Sequence, residues 1–313
     1  WRDNFCLDIS EELADIIEQS WTRTDLTPYQ IYVKIAYHLS QEARAGLAEF
    51  TIPRDFRDQL LDFQVQAVKI AARHLNVRKG VIIGDVVGLG KTLMATALAR
   101  VMEVDRDLET LIVCPKNLER MWQDYKDRYR LRGRVLPITR FDKEAADLPR
   151  FRIVLIDESH NLRNREGKRY RALYQYIQRN DSMCILLSAT PYNKTYLDLS
   201  SQLRLFVPED KDLGIRPERL WSALGELDFS RQVQANPRTL AAFEKSEYAD
   251  DWRELMRLFM VRRTRSFIKA NYARTDPANG RSYLTFSDGT RSYFPTRTPK
   301  TVIFPINDAD PND

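Results

Sequence analysis

The sequence is poor in the residues that build small stapled or metal-held folds. Of 313 residues, three are cysteine and three are histidine. Cys6, Cys114 and Cys184 are odd in number and widely spaced, and Cys114 and Cys184 sit inside apolar, strand-like runs. This excludes a disulfide framework and a zinc site, and predicts buried free thiols in a reducing compartment. His38, His74 and His160 share no ligand spacing with the cysteines. Long apolar runs are also lacking, and none approaches the ~18 residues that a membrane-crossing helix needs. The N-terminal stretch WRDNFCLDISEELADII has no basic region followed by an apolar one, so it does not read as a signal peptide. No membrane partner is expected, and a cytoplasmic location is (nucleoid-associated if the source is bacterial). There is no internal repeat and no low-complexity tract. There is no initiating Met either, so the chain reads as a fragment or a processed product.

What is present is an ordinary globular balance, with 43% hydrophobic and 30% charged residues. The length suffices for one large or two ordinary domains with real cores. The net charge of +5 is compatible with a polyanionic partner and equally with a plain basic protein. Residues 10–20 read as a short amphipathic helix, with Ser10 as a candidate N-cap. A second helix starts at Thr27-Pro28, with Thr at the N-cap and Pro at the first helical position. A third runs from Asp62 to Leu75 and ends in a basic turn, Arg73 to Lys79, suited to a helix C-terminus. Within it Gln64 has an amide able to read an adenine edge, although on its own it reads as a surface residue.

The chain is organised around Val81 to Thr92, VIIGDVVGLGKT. A β-branched run leads into a glycine-containing turn, then Lys91-Thr92, then a stretch with the composition of a buried helix. That order makes a phosphate-binding loop. Gly88, Leu89 and Gly90 would offer backbone N–H groups to phosphate oxygens, and the helix N-terminus would add its partial positive charge. Lys91 would reach the β/γ-phosphates, and the Thr92 hydroxyl would ligate Mg²⁺. The general pattern asks for Gly six residues before the Lys, and Asp85 stands there instead.

Apolar runs then recur as strands: TLIVC at 110–114, a weaker RVLPIT at 134–139, RIVLI at 152–156 and MCILL at 183–187. Helical stretches lie between them, at Leu118 to Tyr129 and Lys168 to Gln178. Such alternation predicts an α/β fold, a parallel sheet covered by helices on both faces, with any ligand at the carboxyl ends of the strands. Each polar cluster falls at such an end. From Thr195 the pattern turns helical, in YLDLSSQLRLF, PERLWSALGEL and DDWRELMRLFMV. RSYLTF-SDGT-RSYFP, residues 281–295, is a β-hairpin signal with Asp288-Gly289 in the turn. The run TVIFPI reads as a last strand.

Asp157-Glu158-Ser159-His160 ends one buried strand. The Asp can hold Mg²⁺ through water, and the Glu can orient and deprotonate a water attacking a γ-phosphate. Ser188-Ala189-Thr190-Pro191 ends another, and its hydroxyls can hydrogen-bond the acidic pair and relay nucleotide state. Either cluster alone would be an ordinary strand end or turn.

In this order, DVVGLGKT, LIVCPKNLERMW, DESHNLRN and LLSATPYN resemble the first RecA-like lobe of superfamily-two helicases of the Swi/Snf type. The resemblance covers roughly Asp62 to Lys269, plus the closing PTRTPKTVIFPI. That family writes its loop D-E-M-G-L-G-K-T, so Asp85 fits the variant, while Val86 and Val87 replace Glu and Met. The resemblance implies an adenine-side role for Phe63-Gln64. It implies nucleic-acid contact by Pro115-Lys116; from the residues themselves, Ser188 and Thr190 would couple nucleotide state to the nucleic acid, and Arg163 is a candidate contact. Arg262-Arg263-Thr264 matches a segment near the end of the family's first lobe. A further likeness is to bacterial members that carry a phospholipase-D-like nuclease domain elsewhere, of which no motif is visible in this chain. The implied division is a helical extension at 1–61, a RecA-like ATP-binding core at 62–195, a helical segment of the same lobe at 196–272, and at 273–313 the hairpin and the start of a second lobe. The family's second lobe supplies arginine fingers and lies outside this chain, so ATP binding with little or no hydrolysis is expected. The basic run Arg163, Arg165, Lys168, Arg169 and Arg171 reads equally as a backbone-tracking groove for nucleic acid, double-stranded DNA by resemblance, and as an exposed helix face. A strand-separating DNA or RNA helicase, and a nucleotide-gated binding module without catalysis, remain the alternatives.

Overall fold

The computed structural model describes residues 50–85, 88–191, 195–286 and 289–294. The two helices expected before residue 50, the final TVIFPI strand and Cys6 lie outside them. After a single helical turn at Arg54–Arg57, the chain enters α1, Asp62–Arg78. The Gln64 side chain starts this helix by accepting a hydrogen bond from the Leu61 N–H at 2.9 Å, which satisfies a donor the first turn leaves unpaired. The basic turn closes it at Lys79, whose φ is 61°. In that turn His74 is neutral: burial first, and then Arg78 and Arg73, bring its pKa down to about 4.

Six strands follow: β1 (Gly80–Ile83), β2 (Thr110–Cys114), β3 (Gly133–Pro137), β4 (Ile153–Ile156), β5 (Met183–Leu187) and β6 (Met260–Val261). They form one sheet in the order β3-β2-β4-β5-β1-β6, and every pair is parallel. Between them run α2 (Lys91–Arg106), α3 (Glu119–Arg128), α4 (Ile138–Glu144), α5 (Lys168–Asn180), α6 (Leu197–Leu203), α7 (Glu218–Val233) and α8 (Ala249–Phe259). β2 and β5 match the apolar runs residue for residue. β3 ends earlier than the RVLPIT run because Ile138 already begins α4.

Alternation along each strand divides the core in two. Val81, Ile83, Ile112 and Ile185 face α1, α2 and the buried Trp122 of α3. Ile82, Val113, Val154 and Leu186 face the other way, onto Phe141 of α4, Leu173 of α5 and Trp252 of α8. Both sheet faces are covered, which is why these strands read as continuous apolar runs. The architecture is RecA-like. Cys114 and Cys184 are buried free thiols, and burial pushes the Cys114 pKa up to about 12. No described helix is long and apolar enough to cross a membrane.

The helical segment after residue 195 returns to the sheet. α7 is kinked at Gly225, where φ is 74° and ψ 165°. Its first turn is capped from α8, where the buried Asp251 accepts from the N–H groups of Arg219 at 2.8 Å and Leu220 at 3.1 Å. The run DDWRELMRLFMV does not stay helical to its end: α8 stops at Phe259, and Met260-Val261 pair with Ile82-Ile83 as edge strand β6. Then come α9 (Arg265–Tyr272), capped by the Thr264 hydroxyl through the Phe267 N–H at 3.1 Å, and a small antiparallel sheet of β7 (Arg274–Thr275), β8 (Ser282–Thr285) and β9 (Arg291–Tyr293).

Candidate functional site

The site is built at the carboxyl ends of β1, β4 and β5, with β5 lying between the other two. Past β1 the chain turns through Gly88, φ 87°, and Gly90, φ 80°, into α2, which starts at Lys91. Both glycines occupy the left-handed region that L side chains avoid. A Cβ on Gly90 would lie 2.4 Å from Gln64 Nε2. That approach shows what Gln64 does in the fold. It is buried, not a surface residue, because its Nε2 donates to the Leu89 carbonyl at 3.0 Å while Oε1 holds the Leu61 N–H at 2.9 Å. It braces the loop and keeps one N–H and one lone pair uncommitted.

Asp85 is fully buried and ties the loop to Arg263, just past β6. Its Oδ1 accepts from the Arg263 N–H at 2.5 Å, and the Arg263 guanidinium donates to the Phe63 carbonyl. Burial raises the Asp85 pKa, against the opposing charges of Arg263, Lys91 and Arg262 and the bond from the Arg263 backbone. The sequence mismatch at this position is therefore a buried carboxylate clamped by the Arg-Arg-Thr segment.

Lys91 Nζ donates to the Asp85 carbonyl at 2.8 Å. Burial lowers its pKa, and the carboxylates of Glu158, Asp85 and Asp157 push it part of the way back. Lys91, after β1, and the acidic pair, after β4, both stand at the carboxyl edge of the one parallel sheet. Thr92, half-buried, follows on α2.

Asp157 and Glu158 follow β4. Asp157 accepts one bond on each oxygen, from the Glu158 N–H at 2.8 Å and from the Trp122 indole Nε1 at 2.8 Å. Glu158 has a left-handed backbone, φ 51°, a conformation uncommon without glycine and enriched at functional positions. Its Oε2 lies 3.0 Å from His160 Nδ1. The same nitrogen is 3.3 Å from Ser188 Oγ, which in turn accepts from the Thr190 N–H at 3.2 Å. Ser188 therefore meets the acidic pair through His160 and not directly.

Three of the expected basic residues are committed within the protein, among them Arg171, whose Nε donates to the Glu166 carbonyl at 2.8 Å. Arg163 donates to the Thr190 carbonyl at 3.0 Å and pairs with Asp198 at 3.4 Å. Arg165 donates to Ser200 Oγ at 2.6 Å and Glu244 Oε1 at 2.5 Å. Lys168, Arg169 and Arg171 are exposed, as are Lys116 and Thr190, while Pro115 is half-buried. Two positioning residues escaped sequence reasoning. Trp122 stood inside the quoted LIVCPKNLERMW, and a buried indole must place its N–H somewhere. Gln202 has no such signal. Fully buried on α6, it accepts from Ser159 Oγ at 2.7 Å and donates to the Pro191 carbonyl at 2.5 Å, joining the turn after β4 to the turn after β5.

Strand order and burial together define an α/β domain with its candidate site at the carboxyl edge of a parallel sheet. No protein-family model matches the chain. In sequence it is similar to the "DNA annealing helicase and endonuclease ZRANB3" of Mus musculus, 27% identical over 187 residues, covering 50% of this chain and 17% of that protein. It is also similar to "Helicase SWR1" of Eremothecium gossypii, 22% identical over 274 residues, covering 75% of this chain and 18% of the other. The chain thus spans less than a fifth of the length of these relatives. Among solved structures, the "Sulfolobus solfataricus SWI2/SNF2 ATPase core in complex with dsDNA" aligns with a TM-score of 0.49 and 18% identity, over 73% of this chain and 52% of that one.

Proposed function

We propose that this chain is the ATP-binding first lobe of a nucleic-acid-dependent ATPase of the Swi/Snf type, acting on double-stranded DNA and working with a second RecA-like lobe. The observation that carries the reading is the placing of Lys91, Asp157-Glu158 and the His160–Ser188 contact at one edge of one parallel sheet. Gly88, Leu89, Gly90 and Lys91 hold the triphosphate. Among the described residues no cluster of three or more His, Cys, Asp or Glu could hold a metal alone. Mg²⁺ would therefore be shared between protein and phosphate oxygens, the usual mode for this ion. Asp157 fits that task, since each of its oxygens takes only one donor and keeps a lone pair, and the Thr92 hydroxyl would be a second ligand. Held there, Mg²⁺ supplies neutralisation of phosphate charge.

Glu158 is the general base. His160 engages Oε2, which leaves Oε1 to take the proton of the attacking water. Ser188 and the Thr190 N–H carry the state of Glu158 to the exposed Thr190, which with Pro115 and Lys116 faces the nucleic acid. Arg163 serves that contact by fixing the Thr190 carbonyl. Such a motor belongs in the cytoplasm or nucleoid. An arginine finger from a second lobe contributes about 10³ to 10⁵ in rate, so this chain alone binds ATP with little turnover.

The test is ATPase activity of a polypeptide extended through the second lobe, with and without duplex DNA, single-stranded DNA and RNA. Duplex DNA should stimulate it, and Lys91→Ala and Glu158→Gln should each abolish the stimulation. Stimulated activity that survives both substitutions would overturn the proposal.

A further inference from the structure

The β7–β9 sheet has no part in the mechanism above, yet it is packed against the phosphate loop. Leu284 of β8 shares a buried cluster with Phe63, Leu89 of the loop and Ile268 of α9, and Phe294 lies at its edge. Between the hairpin and the loop is a cavity of about 400 Å³. Gly88, Leu89 and Gly90 form its floor, with Leu61 and Gln64 at the head of α1 on one side. The opposite wall is the hairpin, through Phe286, Tyr293 and Phe294.

This wall is fixed, and it is aromatic. The Tyr293 hydroxyl donates to Asp276 Oδ2 at 2.5 Å, and its ring packs on Tyr283 with centroids 5.5 Å apart. Lys269 of α9 sits 5.2 Å from the centre of the Phe294 ring. Phe286 and Phe294 are only half-buried, so their rings border open space beside the loop. A cavity of this size, mostly apolar, with a few polar groups and a phosphate grip at its floor, suits a small ligand with one flat apolar end and one anionic end.

We propose that the hairpin is the base-side wall of the nucleotide site: the purine ring of a nucleoside triphosphate held by Gly88–Lys91 stacks on Phe286 and Phe294. This rests on the phosphate-loop reading given above. Stacking on aromatic faces is sequence-tolerant and contributes affinity without reading base edges. Gln64, with one N–H and one lone pair left, is a polar group in the same cavity that can meet a base edge, and Gln59 and Ser292 line it as well.

Equilibrium titration of the 313-residue chain with ATP and with inorganic tripolyphosphate separates the two ideas. Phe286→Ala with Phe294→Ala should weaken ATP about tenfold, as loss of base–aromatic stacking does, and leave tripolyphosphate unchanged. Phe286→Leu with Phe294→Leu, which keeps the apolar volume and removes the ring faces, should show the same selectivity if the alanine pair disturbs folding. Lys91→Ala should weaken both ligands. If the hairpin variants bind ATP as the parent does while Lys91→Ala weakens both ligands, the hairpin proposal is wrong and the phosphate loop stands. If the hairpin variants lose both ligands equally, the hairpin merely braces the loop and the stacking is refuted. If Lys91→Ala changes neither ligand, the phosphate-loop reading fails and this one with it.

Discussion

Glu244 offers the sharpest energetic test of the scaffold behind the site. Its carboxylate receives Arg165, Arg204 and Ser200, with Arg204 Nη2 at 3.0 Å and Arg165 Nη2 at 2.5 Å. Arg165 comes from the loop after the acidic pair, and Ser200 and Arg204 come from α6 and its end, so one carboxylate ties the active edge to the helical segment. Burial alone would raise its pKa; the bonds from Arg204, Ser200 and Arg165 outweigh that and hold it at about 2, against 4.5 for a free glutamate. The side chain is 18% exposed, so solvent screens little of this. The difference of folded and free values corresponds to ~3 kcal/mol of stability at neutral pH.

The sign follows from the depressed folded value. The contribution is fully present above the unfolded pKa and is lost as pH falls through 4.5 toward 2. Linkage puts the remaining contribution at ~1.4 kcal/mol near pH ~3. Denaturant unfolding of the parent and of Glu244→Gln, repeated from neutral to acid pH, reads this directly. The gap between the two midpoints should be wide at neutral pH and should close on acidification. A gap independent of pH, or one that widens toward acid, would refute the assignment of this stability to the ionised carboxylate.

Two further outcomes follow from the loop and the acidic pair. Trp122→Phe keeps a buried ring but removes the donor to Asp157 Oδ2; a bond to a charged group contributes about 1.5–3 kcal/mol. Stability should fall by that order, and Mg²⁺-dependent enhancement of ATP binding should shrink while Mg²⁺-free binding is kept; an unchanged Mg²⁺ dependence would remove Trp122 from its positioning role. Gly90→Ala should cost about 1–3 kcal/mol for its left-handed backbone and should loosen tripolyphosphate binding, because the new Cβ meets Gln64 Nε2 at 2.4 Å and breaks the brace on Leu89. Unfolding curves and titration check it, and a neutral variant would mean that the loop is not held in this conformation.

Much of the frame was readable in the chain. TLIVC and MCILL are strands residue for residue because a strand buried on both faces needs a continuous apolar run. The hairpin is likewise found where the sequence signalled it, as the antiparallel pairing of β8 with β9. Local pattern misleads where a distant partner decides. Met260-Val261 continue the apolar spacing of α8, and only pairing with Ile82-Ile83 makes them a strand. Gln64 looks like any polar residue on an amphipathic helix, and its burial depends on Leu89, across a turn. The Trp122 donor and the Gln202 bridge are invisible for the same reason: hydrogen-bond partners 35 and 43 residues away leave no periodicity.

The clamp between Asp85 and Arg263 spans 178 positions of sequence. During synthesis, the segment holding the phosphate loop therefore emerges long before the residue that pairs its buried carboxylate. Until β6 and the Arg-Arg-Thr segment are made, Asp85 lacks the Arg263 N–H that its Oδ1 accepts from, and burying the side chain without it favours the protonated acid. The loop thus gains one brace from Gln64, made before it, and the other only when the edge strand beside β1 is complete.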